Sequence, residues 1–143
     1  MAGQLPRVHI LATGGTIASL GRDRLDLVAY GETNKKLTVS EMLARIPEVE
    51  DIARVDGEQF SNVGSPALGP REWLQMGHRI NQLLIEDPGL AGVVVTHGTS
   101  GLDETAYFLH LTVKSDRPVV LTGAMRPPSA LGTDADINLL NAI

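Results

Sequence analysis

Two threonines, Thr16 and Thr99, each follow glycine at the end of an apolar run, in Val8-His-Ile-Leu-Ala-Thr-Gly-Gly-Thr16 and Ala91-Gly-Val-Val-Val-Thr-His-Gly-Thr99. A hydroxyl held in such a turn can attack a carbonyl carbon, but it is a poor nucleophile at its own pKa and needs a base beside it. Flanking glycines let the backbone approach a ligand closely, and two strand ends that repeat this grammar can converge on one pocket. Ser100 adds a neighbouring hydroxyl. The plainer reading is that Thr99 and Ser100 cap the helix that follows, whose first turn carries Asp103 and Glu104 where carboxylates suit the positive end of the dipole. A further polar turn, Asn62-Val-Gly-Ser-Pro66, places Ser65 at another strand end, as either an ordinary turn serine or a ligand contact.

The elements that must position these hydroxyls follow from the apolar pattern. Arg7 to Ala12 reads as a first strand, Ile52 to Phe60 as a second with Gly57 marking a bulge, the β-branched run Val93-Val-Val95 as a third buried on both faces, and Pro118 to Thr122 as a fourth. Between them, Ser40 to Ile46 reads as a short helix capped by Ser40 and ended by Pro47. Pro70 opens a longer helix whose Trp73, Met76, Ile80, Leu83 and Leu84 recur on one face, and Asp87-Pro-Gly89 stops it. Leu102 to Lys114 is helical with Leu102, Ala106, Leu109 and Val113 on one side, and Asp134 begins a last helix after a glycine and proline loop over 123–133. The stretch 21–36 is polar and lacks a helical period, so it reads as a loop or loose hairpin, with Tyr30 its only aromatic residue. His78 has no metal-ligand partner at i+4, and it and His110 read as surface or structural residues. Strands alternating with helices make a three-layer α/β domain around a mostly parallel sheet, which binds its ligands at the carboxyl ends of its strands.

Composition narrows the classes. With 43% apolar and 20% charged residues the chain is an ordinary globular one, and its net charge of −5 argues against a nucleic-acid surface. The absence of cysteine removes disulfides, thiolate metal sites and a thiol nucleophile together. No segment is long and apolar enough for a membrane span, and Met1-Ala-Gly-Gln-Leu-Pro-Arg7 lacks a signal peptide's apolar core, so cytoplasm is the default expectation, although a processed secreted enzyme would look the same.

Four stretches, in order and spacing, resemble the bacterial-type L-asparaginases and glutaminase-asparaginases: Ala12-Thr-Gly-Gly-Thr-Ile-Ala18; Thr96-His-Gly-Thr99 with Asp103-Glu-Thr-Ala-Tyr-Phe-Leu109; Pro118-Val-Val-Leu-Thr-Gly-Ala-Met-Arg-Pro127; and Asp134 through Asn138-Leu139. The resemblance covers nearly all of this chain but only about the first two-fifths of a family member. It implies a flavodoxin-like amino-terminal asparaginase domain over residues 1–143, with the remainder of that domain and a second domain beyond it. It also implies hydrolysis of a side-chain amide through an acyl-threonine intermediate, with no metal or organic cofactor, in a homo-oligomer (dimer or tetramer) acting on a small amino-acid amide. Thr16 would be the first catalytic threonine, Thr99 the second, and Tyr30 the tyrosine that closes beside the first. Gly15, Ser65, Gly98 and Ser100 would line the substrate site, with Ser65 and Gly98 taking the carboxylate and the Ala124 carbonyl oxygen holding the amide nitrogen.

The chain departs from the family pattern in three ways. Ser100 stands where most members have an Asp that pairs with the substrate ammonium, and Pro66 where a Gln usually follows the carboxylate-binding Ser; Pro has no side-chain amide and no N–H. The lysine of the second triad comes from a part of family members outside the matched stretch, so the 143-residue chain by itself is expected to be inactive. Two other readings remain at this point: a non-catalytic α/β small-ligand-binding or interaction module, and a serine hydrolase using Ser100. The latter fits poorly because Gly-x-Ser-x-Gly is not matched and no Asp then His follows in the expected order. Nucleotide and dinucleotide fingerprints are absent.

Overall fold

The computed structural model describes residues 4–143. The amino-terminal stretch considered above as a signal-peptide candidate begins in residues 1–3, which lie outside the described residues. Four strands, β1 (Arg7–Gly14), β2 (Arg54–Val63), β3 (Leu90–Thr96) and β4 (Val119–Thr122), form one all-parallel sheet in the order β2-β1-β3-β4. Helices α1 (Val39–Leu43), α2 (Pro70–Glu86), α3 (Leu102–Thr112) and α4 (Ala135–Ala142) make the connections with shorter 3-10 turns. The order 2-1-3-4 is that of flavodoxin-like sheets, in which the crevice between the carboxyl ends of β1 and β3 is the ligand-binding switch point.

Both faces of the sheet are covered, which is why its central strands read as continuous apolar runs rather than alternating ones. On one face Val8, Ile10, Ala12 and Val94 pack with Met42, Ile46, Val49 and Leu139, from α1, the 3-10 turn after it and α4. On the other, Leu11, Val93 and Val95 pack against Met76, Ile80 and Leu84 of α2 and Leu109 of α3. Pairing of Ile10 with Val94 and of Leu11 with Val95 places like-facing residues side by side, and the buried polar residues of these strands, Thr13 and Thr96, come only at their carboxyl ends. Burial of such side chains stabilises by roughly 1.5–3 kcal/mol each.

Three local expectations are corrected. The first helix is capped by Thr38, not Ser40: the Thr38 side chain accepts from Glu41 N while Glu41 Oε2 takes the Thr38 N–H at 2.7 Å, a reciprocal capping box that starts α1 at Val39. Gly57 is in regular register opposite Ile10 and marks no bulge; the irregularity lies later, between the Ala12–Gln59 and Gly14–Val63 pairs. Gly57 is instead a close-approach position, because a Cβ there would sit 2.6 Å from Ile10 O. The second strand runs three residues past Phe60, to Val63, and so delivers Ser65 to the same edge of the sheet as Thr16.

Candidate active site

β1, β2 and β3 end in one pattern. Each passes through a glycine into a short 3-10 turn that a hydroxyl residue opens: Gly15 into Thr16–Ala18, Gly64 into Ser65–Ala67, and Gly98 into Thr99–Gly101. The first residue of such a turn has a backbone N–H with no acceptor inside the turn. Thr16, Ser65 and Thr99 therefore bring a hydroxyl and a free-facing amide each to the carboxyl end of the sheet.

The turns are locked against one another by glycine at two positions. Gly15 has φ 78°, a left-handed conformation that side-chain-bearing residues rarely adopt, and a Cβ on it would stand 2.5 Å from Gly98 Cα. Gly98 in turn faces Ser65: a Cβ there would meet Ser65 Oγ at 2.7 Å. Buried hydrogen bonds hold the same junction, with Gly15 N donating to Val63 O at 3.0 Å and Thr13 Oγ1 to Thr96 O at 2.8 Å.

His97 fixes the third turn from beneath. It is fully buried; its Nδ1 lies 2.7 Å from Gly98 O and its Nε2 3.0 Å from Thr105 Oγ1. A carbonyl only accepts, so Nδ1 carries the proton and Nε2 receives the Thr105 hydroxyl. Burial lowers the His97 pKa below the ordinary imidazole value, partly offset by the Gly98 carbonyl and the Glu104 charge, and keeps the ring neutral. Both ring nitrogens are thus engaged away from Ser100, so the imidazole nearest to it in sequence cannot serve it as a base. Neither Thr99 nor Ser100 caps α3, whose N-cap is Gly101 with no side-chain cap bond. Both are exposed toward the cavity.

Gly15, Thr16, Tyr30, Ser65, Gly98, Thr99 and Ser100 line one cavity of about 340 Å³. Tyr30 reaches it from the loop after β1: its hydroxyl is hydrogen-bonded to Thr16 Oγ1 at 2.8 Å. The loop returns beside the first turn through an antiparallel bridge between Ser19 and Lys36, with Leu20 N donating to Lys35 O and Leu37 N to Ala18 O, both at 2.8 Å. This brings Ser19, Asn34 and Lys36 to the cavity wall, none of which the sequence patterns had singled out. Ala124 is not on the wall. Its side chain is buried in the core, while Gly123 before it in the same loop stands against the Thr99 turn, where a Cβ would lie 3.1 Å from Thr99 Cγ2. That loop is latched from α4: Asp134 accepts from Met125 N at 2.9 Å and Arg126 N at 2.8 Å, and Asn138 Nδ2 donates to Gly123 O at 3.0 Å. Burial works against the Asp134 charge, but those two amide donors together with its own backbone N–H and the Asn138 amide outweigh it and hold the carboxyl below its usual range.

Comparison with known proteins shows the family and the fold. Residues 7–143 match the family described as asparaginase, N-terminal. The chain is 48% identical over 139 residues to L-asparaginase 2 of Bacillus subtilis, covering 97% of this chain and 36% of that protein. It is 45% identical to L-asparaginase 2 of Escherichia coli, covering 97% and 38%, and 40% identical to the glutaminase-asparaginase of Pseudomonas fluorescens, covering 98% and 38%. Among solved structures, a probable cytoplasmic L-asparaginase from Campylobacter jejuni superposes with a TM-score of 0.88 at 40% identity, over 96% of this chain and 40% of that one. The chain thus spans about two-fifths of the length of the relatives it matches.

Proposed function

The chain belongs to the asparaginase family, and on that premise we propose that the protein hydrolyses the side-chain amide of asparagine, or a related amide, to the acid and ammonia. One observation carries the chemistry: Thr16 Oγ1 and Tyr30 Oη share a 2.8 Å hydrogen bond on the wall of a cavity that Thr99 also lines. In this reading the Thr16 oxygen adds to the amide carbon while its proton passes to the Tyr30 oxygen and the Tyr30 hydroxyl proton passes on to the amide nitrogen. The backbone N–H groups of Thr16 and Thr99, each opening a 3-10 turn, face the developing oxyanion. Ammonia leaves with a proton, and water cleaves the acyl-threonine ester. Ser65 and Gly98 take the substrate carboxylate; the Ala124 carbonyl, which the resemblance assigns to the amide nitrogen, lies off the cavity wall, on the neighbouring loop latched by Asp134 and Asn138.

Residues 1–143 are read as the amino-terminal α/β domain of such an enzyme, supported by the family match and the two-fifths coverage of relatives. The similarity to a structure described as cytoplasmic supports that compartment, and no helix among the described residues is long and apolar enough to cross a membrane. A homo-oligomer is the assembly the family resemblance implies. The experiment is ammonia release from asparagine and glutamine by the full-length protein: Thr16→Ala should abolish it and Thr16→Ser retain part of it. Unchanged release in Thr16→Ala rules the assignment out. A second reading, ligand binding without turnover, is favoured by the Thr99 hydroxyl, which has no hydrogen-bond partner among the described residues to act as its base; ligand binding with no ammonia release from either amide would establish it.

A further inference from the structure

Packing does not hold Tyr30 against Thr16. The 3-10 turn that Tyr30 opens, Tyr30–Thr33, buries none of its residues, and Leu25, Leu27 and Val28 just before it are exposed. A segment with so little buried apolar surface opens readily unless hydrogen bonds hold it.

Those bonds come from two side chains. At the trailing end Thr33 Oγ1 donates to Leu20 O. At the leading end a single carboxylate spans the loop: Asp26 Oδ1 accepts from Ala29 N at 2.9 Å and Oδ2 from Arg22 N at 3.0 Å. Ala29 is the N-cap on which the Tyr30 turn begins, so the carboxylate fixes where that turn starts. The Arg22 amide above all, with those of Ala29 and Val28 and against the cost of desolvation, holds the Asp26 carboxyl below its usual range.

The far end of this span is anchored on the fold. Gly21 lies against Asp26, where a Cβ would stand 2.9 Å from Asp26 Cβ, and its N–H donates to Ser129 Oγ at 2.8 Å. Leu131 N donates to Arg24 O at 2.9 Å. Ser129 follows Pro128, whose carbonyl takes Arg45 Nη2 at 2.9 Å, and the same guanidinium pairs with both oxygens of Asp136 on α4 at 2.8 Å. Contacts thus run unbroken from the helical layer through Ser129, Gly21 and Asp26 to the start of the Tyr30 turn.

We propose that Asp26 is the positioning residue for Tyr30: it stands off the cavity wall and acts by tying the tyrosine turn to the anchored segment 21–24. The proposal rests on the amide-hydrolase reading for its rate measurements alone.

The test uses the full-length protein. Asp26→Ala should lower turnover of asparagine about tenfold, less than loss of the Tyr30 hydroxyl itself, with KM moving less than the turnover number. Asp26→Asn keeps one carbonyl oxygen for Ala29 N and should lose less. In a Tyr30→Phe background Asp26→Ala should add little, because a residue that acts through the hydroxyl has nothing left to position. A second readout needs no reaction. In protein labelled with 3-fluorotyrosine, the fluorine resonance that disappears in Tyr30→Phe should shift or broaden in Asp26→Ala. Undiminished turnover in Asp26→Ala, equal losses with and without the Tyr30 hydroxyl, or an unmoved Tyr30 resonance would each overturn the proposal. Absence of ammonia release by the unaltered protein from either asparagine or glutamine counts against the amide-hydrolase reading instead, and the resonance then decides the role of Asp26 by itself.

Discussion

The hydroxyls of Thr16 and Tyr30 are hydrogen-bonded at 2.8 Å, although one opens the turn after a core strand and the other rides on a loop 14 residues later. Tyr30→Phe deletes this bond and keeps the ring on the cavity wall. In steady-state assays of the full-length protein the turnover number should fall about a hundredfold, at the low end for a positioned proton acceptor. Thermal unfolding should change little, because one partly exposed hydrogen bond contributes only about 0.5–1.5 kcal/mol.

Gly98 is where the three strand ends have no spare space. A Cβ there would lie 2.7 Å from Ser65 Oγ and 2.9 Å from Ser65 Cβ. Gly98→Ala should therefore destabilise by about 1–3 kcal/mol, as overpacking does, and weaken ligand binding by displacing Ser65. Gly64→Ala is the control: it borders the same cavity, but its added Cβ would have only Pro66 Cδ nearby, at an ordinary 3.7 Å. Urea denaturation of both variants separates crowding from the general cost of losing a glycine.

His97 links the site to pH. Burial lowers its pKa in the folded chain, so just below the ordinary imidazole pKa the unfolded chain binds the proton and the folded one does not. Its contribution to stability is therefore fully present above about pH 6.5 and is lost as the pH falls from there through the depressed folded value. Urea midpoints measured downward from pH 8 should show this acid-side loss. His97→Gln, which keeps hydrogen-bonding groups but does not titrate, should be less stable throughout and should lose that part of the pH dependence.

The sheet was legible because its central strands are buried on both faces. Val93, Val94 and Val95 cannot alternate with polar residues when both helical layers pack on them, so the run announces a parallel core strand. Thr16 and Thr99 were legible for a related reason, since each follows glycine at the end of such a run, whereas Ser65 follows Gly64 at the end of a polar strand and stood out only as a turn residue. Lys36 was not. A lysine in a polar loop has no periodicity to betray it, and its place beside Ser19 comes from backbone pairing across seventeen positions that local propensity does not encode. The Thr38 cap was missed because Ser40 lies nearer the apolar stripe, while the decisive signal was the Thr38-x-x-Glu41 spacing.

The antiparallel bridge between Ser19 and Lys36 also separates two kinds of freedom in the chain. Below it, β1 and its turn are locked into the core; above it, residues 20–35 form a closed surface loop whose ends are already joined. Lengthening such a loop costs little, because the entropy of closure grows only as the logarithm of its length. Insertions and substitutions between the two ends can therefore be sampled over evolutionary time without moving the Thr16 turn, as long as Tyr30 keeps its place against it. The loop around Tyr30 can thus vary in length and composition while the Thr16 turn stays where the sheet put it.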